Sequence, residues 1–216
     1  MTAGKNHPPH GENKETLLKP SNPDQPFKRV SLLEVKDVAS AKAQRALFKA
    51  EAMVLAYFDQ ASAVDGLAKV FSGADLTNPS ASVAKASALL SGNSLISPVK
   101  VELRPSQDLM GAWAVFAAKG HQGLPVIYLN EVAAETLSEE QLVRVLVEEM
   151  GHWMDIQING SVDSPGDEGE LFASYVYNYN LSSEDQARIL KESDFLALNI
   201  EGVEVETELA SLLFTN

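Results

Sequence analysis

Val145-Leu146-Val147-Glu148-Glu149-Met150-Gly151-His152-Trp153-Met154-Asp155 is the stretch whose reading decides the fold. It predicts the later turns of a helix that opens at Ser138. The Ser138 hydroxyl can accept from a free N–H of the first turn, and Gln141 three residues on completes a capping box. Leu142, Val143, Val145, Leu146, Val147, Met150, Trp153 and Met154 leave almost no polar face through the middle turns. A helix apolar nearly all round is buried. Two adjacent carboxylates and an imidazole in such a helix need partners, since an unpaired buried charge costs several kcal/mol or more. A metal ion answers that need.

Spacing sharpens the case. Glu148, His152 and Asp155 fall at i, i+4 and i+7 and share one side of the helix. Glu149 and His152 keep the spacing of the glutamate and second histidine in H-E-x-x-H, where two histidines bind zinc and the glutamate acts as general base. Glu148 stands where the first histidine would be, so the chain reads E-E-M-G-H.

Val147 to His152 thus resembles the zincin metallopeptidase helix with its first ligand changed. Ile127-Tyr128-Leu129-Asn130, then E-E-M-G-H-W-M-D, then Gly166-Asp167-Glu168-Gly169, are similar to a metallopeptidase-like domain of large, repeat-bearing, calcium-binding secreted bacterial proteins. The likeness covers roughly Val99 to Leu209. It implies an α+β, zincin-like fold: a small, mainly antiparallel sheet on an active-site helix, with a second helix returning antiparallel. It also implies a third ligand from the first turns of that second helix. Glu168 matches the position, with Glu170 and Asp155 as alternates.

Composition narrows the field. A formal charge of -13 argues against nucleic acid and against an anionic membrane surface, both of which call for clustered Lys and Arg. With no cysteine, neither a disulfide frame nor a thiolate zinc site can form. That absence suits a bacterial cytoplasm and equally a protein secreted without a cleavable signal peptide. No apolar run reaches the ~20 residues of a membrane span. A di-iron bundle would want a second E-x-x-H, and none of the four histidines is placed for one.

Three regions are expected along the chain. Residues 1–27 read as a flexible Pro-rich arm, in which His7 and His10 are surface histidines. Residues 28–95 read as a helical layer, with Leu32 to Phe71 at helical spacing and Asp65-Gly66 a kink or join. Gly73 to Pro79 is a turn, and Ser80 to Leu90 a short helix. Residues 96–216 carry the zincin-like part, with a single compact unit that includes the helical layer as the alternative. In it Val99–Arg104, Ala112–Ala118 and Val126–Asn130 are strands. His121, in the loop between the last two, is a candidate substrate contact. Asn159-Gly160 stops the long helix, and a further helix opens at Ser182. Leu196–Ile200 and Val203–Glu206 form a hairpin across Glu201-Gly202.

The expected chemistry is hydrolysis of a peptide or protein substrate. Glu148, His152 and Glu168 would hold a divalent metal, and Glu149 would take a proton from water activated there. Zinc heads the cations, although two carboxylates beside one imidazole also suit manganese, iron or calcium. The alternative is a catalytically degenerate zincin fold kept as a binding or structural module.

Overall fold

A computed structural model of the protein describes residues 30–31, 36–72, 79–90, 99–160 and 164–209. The Pro-rich arm with His7 and His10, and nearly all of the Gly73–Pro79 turn, lie outside the described residues. What is described is α+β, with seven helices and one six-stranded mixed sheet.

Helix α1 (Val38–Phe58) starts at a capping box in which Ser40 N–H donates to Asp37 Oδ1 at 2.8 Å. Its buried face is Ala43, Ala46, Leu47, Ala50, Val54 and Tyr57. Helix α2 (Ala63–Val70) follows after a break at residues 59–62, not at Asp65-Gly66 as the sequence suggested. Gly66 sits inside α2 for a packing reason: a Cβ there would lie 2.0 Å from the Tyr57 hydroxyl. Helix α3 (Pro79–Leu90) completes the expected helical layer.

Strand β1 (Val30–Ser31) pairs parallel with β2 (Val99–Arg104), and β2 pairs parallel with β4 (Val126–Asn130). Strand β3 (Ala114–Ala117) lies antiparallel to β4 and to β6 (Val203–Leu209), which pairs antiparallel with β5 (Phe195–Ile200). The order β1-β2-β4-β3-β6-β5 therefore has a parallel half and an antiparallel half. The expected mainly antiparallel sheet is corrected to a mixed one. Strand β4 explains the difference, because all five of its residues are buried. An uninterrupted apolar run marks an interior strand, which here accepts β2 on one side and β3 on the other.

Helix α4 (Glu131–Thr136), not anticipated, follows at once, with Asn130 Oδ1 accepting from Val132 N–H at 2.9 Å. Helix α5 (Glu139–Asn159) has both bonds of the expected capping box: Gln141 N–H donates to Ser138 Oγ, and Ser138 N–H to Gln141 Oε1. It is buried continuously from Val145 to Asp155 and ends at Gly160, whose φ is 71°. Helix α6 (Glu168–Val176) and helix α7 (Ser183–Ile189) follow. The β5–β6 turn has Glu201 and Gly202 at φ 54° and 84°, as a two-residue hairpin requires.

The sheet has two faces. Val99, Val101, Ala114, Phe116, Ile127 and Leu129 pack against α1, α5 and α6 in one large core that also takes in Leu47, Val54, Met150, Trp153 and Phe172. Burial of each such large side chain contributes about 1.5–3 kcal/mol. The other face holds a smaller cluster around Val115, Tyr128, Leu198, Ile200 and Val205. Among the described residues no helix is long and apolar enough to cross a membrane.

Candidate metal centre

Helices α5 and α6 touch where the two glycine-bearing motifs meet. A Cβ at Gly151 would lie 2.7 Å from Gly169 Cα; one at Gly169 would lie 2.5 Å from His152 Nε2 and 2.8 Å from the Glu148 carbonyl oxygen. All three distances are shorter than a methyl group tolerates, so this crossing needs glycine on each side. The tight crossing presses the His152 imidazole against Gly169 and sets the start of α6 beside it.

Around His152 the chain assembles carboxylates. Nδ1 stands 2.9 Å from Glu168 Oε1, 3.2 Å from Glu208 Oε2 and 3.6 Å from Asp194 Oδ2. On the other side of the ring, Nε2 is 3.9 Å from Asp167 Oδ1. His152 and Asp167 are fully buried, Glu168 is 1% exposed at its side chain, and Asp194 and Glu208 are 10% and 19% exposed. What solvent the cluster meets is on the side of Asp194 and Glu208. Ligand atoms of His152, Glu168 and Asp194 all lie within 4.8 Å of one another.

Charge is badly balanced there. Four carboxylates face one imidazole, and among the described residues no Lys or Arg forms an ion pair with any of the four. Glu168 Oε2, Asp194 Oδ2, Glu208 Oε2, Asp167 Oδ2 and His152 Nε2 are buried without hydrogen-bond partners among the described residues. Burial raises the Glu168 carboxyl to about 8 and the Asp194 carboxyl to about 7, and it raises Asp167 as well. For His152 burial works downward, but the charge of Glu168, its hydrogen bond with the ring and the charge of Glu208 outweigh it and hold the ring well above its usual value. The protein alone meets this imbalance only by keeping protons. A divalent cation would meet it directly, and the donor set of one imidazole nitrogen and several carboxylate oxygens fits zinc, manganese or iron.

No family model, no curated protein and no solved structure matches this chain. Nothing in these comparisons identifies a zincin-like domain.

Of the residues singled out in the sequence, the structure brings His152 and Glu168 together. Glu148 is buried on α5 but is not one of the three groups that converge. Glu149, the expected base, is fully buried on the same helix. The alternates have protein partners. Asp155 accepts from Ser164 Oγ at 2.5 Å and Asn159 Nδ2 at 2.7 Å, tying the end of α5 to the segment that leads into α6. Glu170 receives Arg188 Nη2 on both oxygens, at 2.7 and 2.9 Å, which fastens α6 to α7. Asp167 caps α6, accepting from Glu170 N–H at 2.7 Å.

His121 lies elsewhere. Its Nδ1 is 2.8 Å from the Tyr128 hydroxyl and its Nε2 is 3.3 Å from Arg104 Nη2. Tyr128 belongs to the smaller core cluster, on the sheet face opposite the one that Phe116 and Ile127 present to α5. Sequence reading missed Asp194 and Glu208. The expected hairpin stopped at Glu206, whereas β6 runs to Leu209; Leu209 N–H donates to the Asp194 carbonyl at 2.9 Å and so holds the two acids side by side.

Proposed function

We propose that this chain is a divalent-metal-binding protein whose centre is His152, Glu168 and Asp194. One observation carries the reading: buried carboxylates crowd a single imidazole, and among the described residues several of their oxygens lack hydrogen-bond partners and no Lys or Arg pairs with them. Unpaired ions in such surroundings cost several kcal/mol each. A cation converts that cost into binding energy. His152 would ligate through Nδ1, the nitrogen that faces Glu168, leaving its proton on Nε2 toward Asp167. Metal analysis of protein purified without chelator, followed by zinc and manganese titration of metal-free protein, tests the reading. About one equivalent bound by wild type, and lost in His152→Ala, is the expected result. Metal-free protein that takes up neither ion would sink it.

Metal-dependent hydrolysis, peptidase activity above all, is the second reading. Glu149 favours it: this carboxylate is completely buried on α5 three residues before His152, the spacing of the general base in H-E-x-x-H. A bound divalent cation supplies Lewis acidity. Glu149 would accept the proton of attacking water and return it to the leaving amine. Loss of peptide hydrolysis in Glu149→Gln with metal content intact would support this. Equal inertness of metal-loaded wild type and variant would leave the centre as a structural one, in line with the alternative of a non-catalytic module.

A further inference from the structure

The hairpin β5–β6 is paired along its whole length, from Phe195↔Glu208 to Ile200↔Val203. Its attachment to the rest of the sheet is slight. Among the described residues β6 meets β3 only at Val115↔Leu209 and Phe116↔Glu208. One of those positions, Glu208, reaches the candidate centre. Asp194, just before β5, and Glu208, in β6, are both within 3.6 Å of His152 Nδ1.

Strand alternation explains how Glu208 gets there. Val205 and Thr207 are buried on one face of β6, so Glu204, Glu206 and Glu208 lie on the other. Glu208 is opposite Phe116, whose side chain belongs to the core shared with α5. A carboxylate on this face at the helix boundary has its Oε2 buried and unpartnered, 3.2 Å from the imidazole. Glu206, one strand repeat away, is exposed.

Building on the metal reading above, we propose that Glu208 is a fourth ligand and that the cation fastens the C-terminal hairpin to the α5–α6 pair. His152 and Glu168 bring the helical side of the site, and Asp194 and Glu208 bring the hairpin side. Carboxyl groups from the two sides face one another across the β3–β6 junction, which two residue pairs hold among the described residues. One bound cation would attract all of them and so draw the two sides together. A set of three carboxylates and one imidazole suits manganese or iron as well as zinc.

Manganese(II) is the probe. Wild type, Glu208→Gln and Glu206→Gln are titrated with it after metal removal, and amide exchange of residues 195–209 is followed in wild type with and without the ion. Glu206→Gln removes the same charge from the same strand without removing a ligand. The expected result is manganese affinity reduced more than about tenfold in Glu208→Gln, little change in Glu206→Gln, and slower exchange across the hairpin when metal is bound. Equal affinity of the two variants would overturn the fourth ligand while leaving the three-residue centre standing. Unchanged exchange in wild type would overturn the fastening without recourse to any variant. Failure of wild type to bind manganese or zinc at all would remove the centre and this inference together.

Discussion

Protonation at the cluster gives the residue scale its sharpest consequence. In the metal-free fold Glu168 and Asp194 titrate at about 8 and about 7, against 4.5 and 3.8 as ordinary side chains. His152 also holds its proton more tightly in the fold than outside it. All three shifts have one sign: the folded chain binds more protons than the unfolded one. Stability from these groups is therefore complete below about pH 4 and is lost as pH rises through about 8, where the carboxylates must ionise beside one another. Melting of chelator-treated protein should shift to lower temperature between pH 6 and 9. Saturating metal should reverse most of that shift, because ligand carboxylates are wanted ionised and metal binding releases protons. A metal-free melting temperature that climbed over this range would contradict the cluster as described. His152→Ala should lose metal but keep the pH dependence from the carboxyls, since burial raises Glu168 and Asp194 and the imidazole only lowers them.

At the scale of elements, the closeness of α5 and α6 governs the site. Gly169→Ala puts a methyl 2.5 Å from His152 Nε2 and 2.8 Å from a backbone carbonyl, so the helices must separate. Overpacking of this kind costs about 1–3 kcal/mol, and it should weaken metal binding because Glu168 is the neighbouring residue. Ser138→Ala is the contrasting change. It removes the α5 cap far from the cluster, at about 1 kcal/mol, and should lower the melting temperature with metal affinity intact. Thermal melts and metal titration of the two variants separate these outcomes; equal affinities in both would mean the glycine contact does not position the site. This is also where the sequence was most legible. Ser138, Gln141 and the apolar run make α5 readable because caps and helical periodicity are local properties. Glu168 was readable through its motif. Asp194 and Glu208 were not, since nothing near them in the chain says which face of β6 meets α5. That depends on the pairing of β6 with β3, whose partners lie some ninety residues earlier. The Val203-Glu204-Val205-Glu206-Thr207-Glu208-Leu209 alternation held a usable signal, because carried to its end it extends the strand through Glu208. For Gly66 the local reading misled, because a glycine needed for contact with Tyr57 looks like a helix break until the neighbour is known.

Across the whole molecule, one core ties the N-terminal helices to the metal-bearing helix. Leu47 and Val54 of α1 are fully buried in the same cluster as Met150 and Trp153 of α5 and Phe116 and Ile127 of the sheet. Division at about residue 95 thus cuts through shared apolar packing, and the helical layer and the sheet-bearing part should unfold together. Leu47→Ala tests this far from any ligand. Removing a fully buried leucine side chain costs about 2–5 kcal/mol. If the core is one cooperative unit, calorimetry of wild type shows a single transition, and the variant moves that transition as a whole. Metal should then raise the melting temperature of Leu47→Ala just as it raises that of wild type, because ligand binding to the native state stabilises every part that unfolds with it. Two resolved transitions, with metal shifting one and Leu47→Ala the other, would show instead that α1 packs on α5 without sharing its stability.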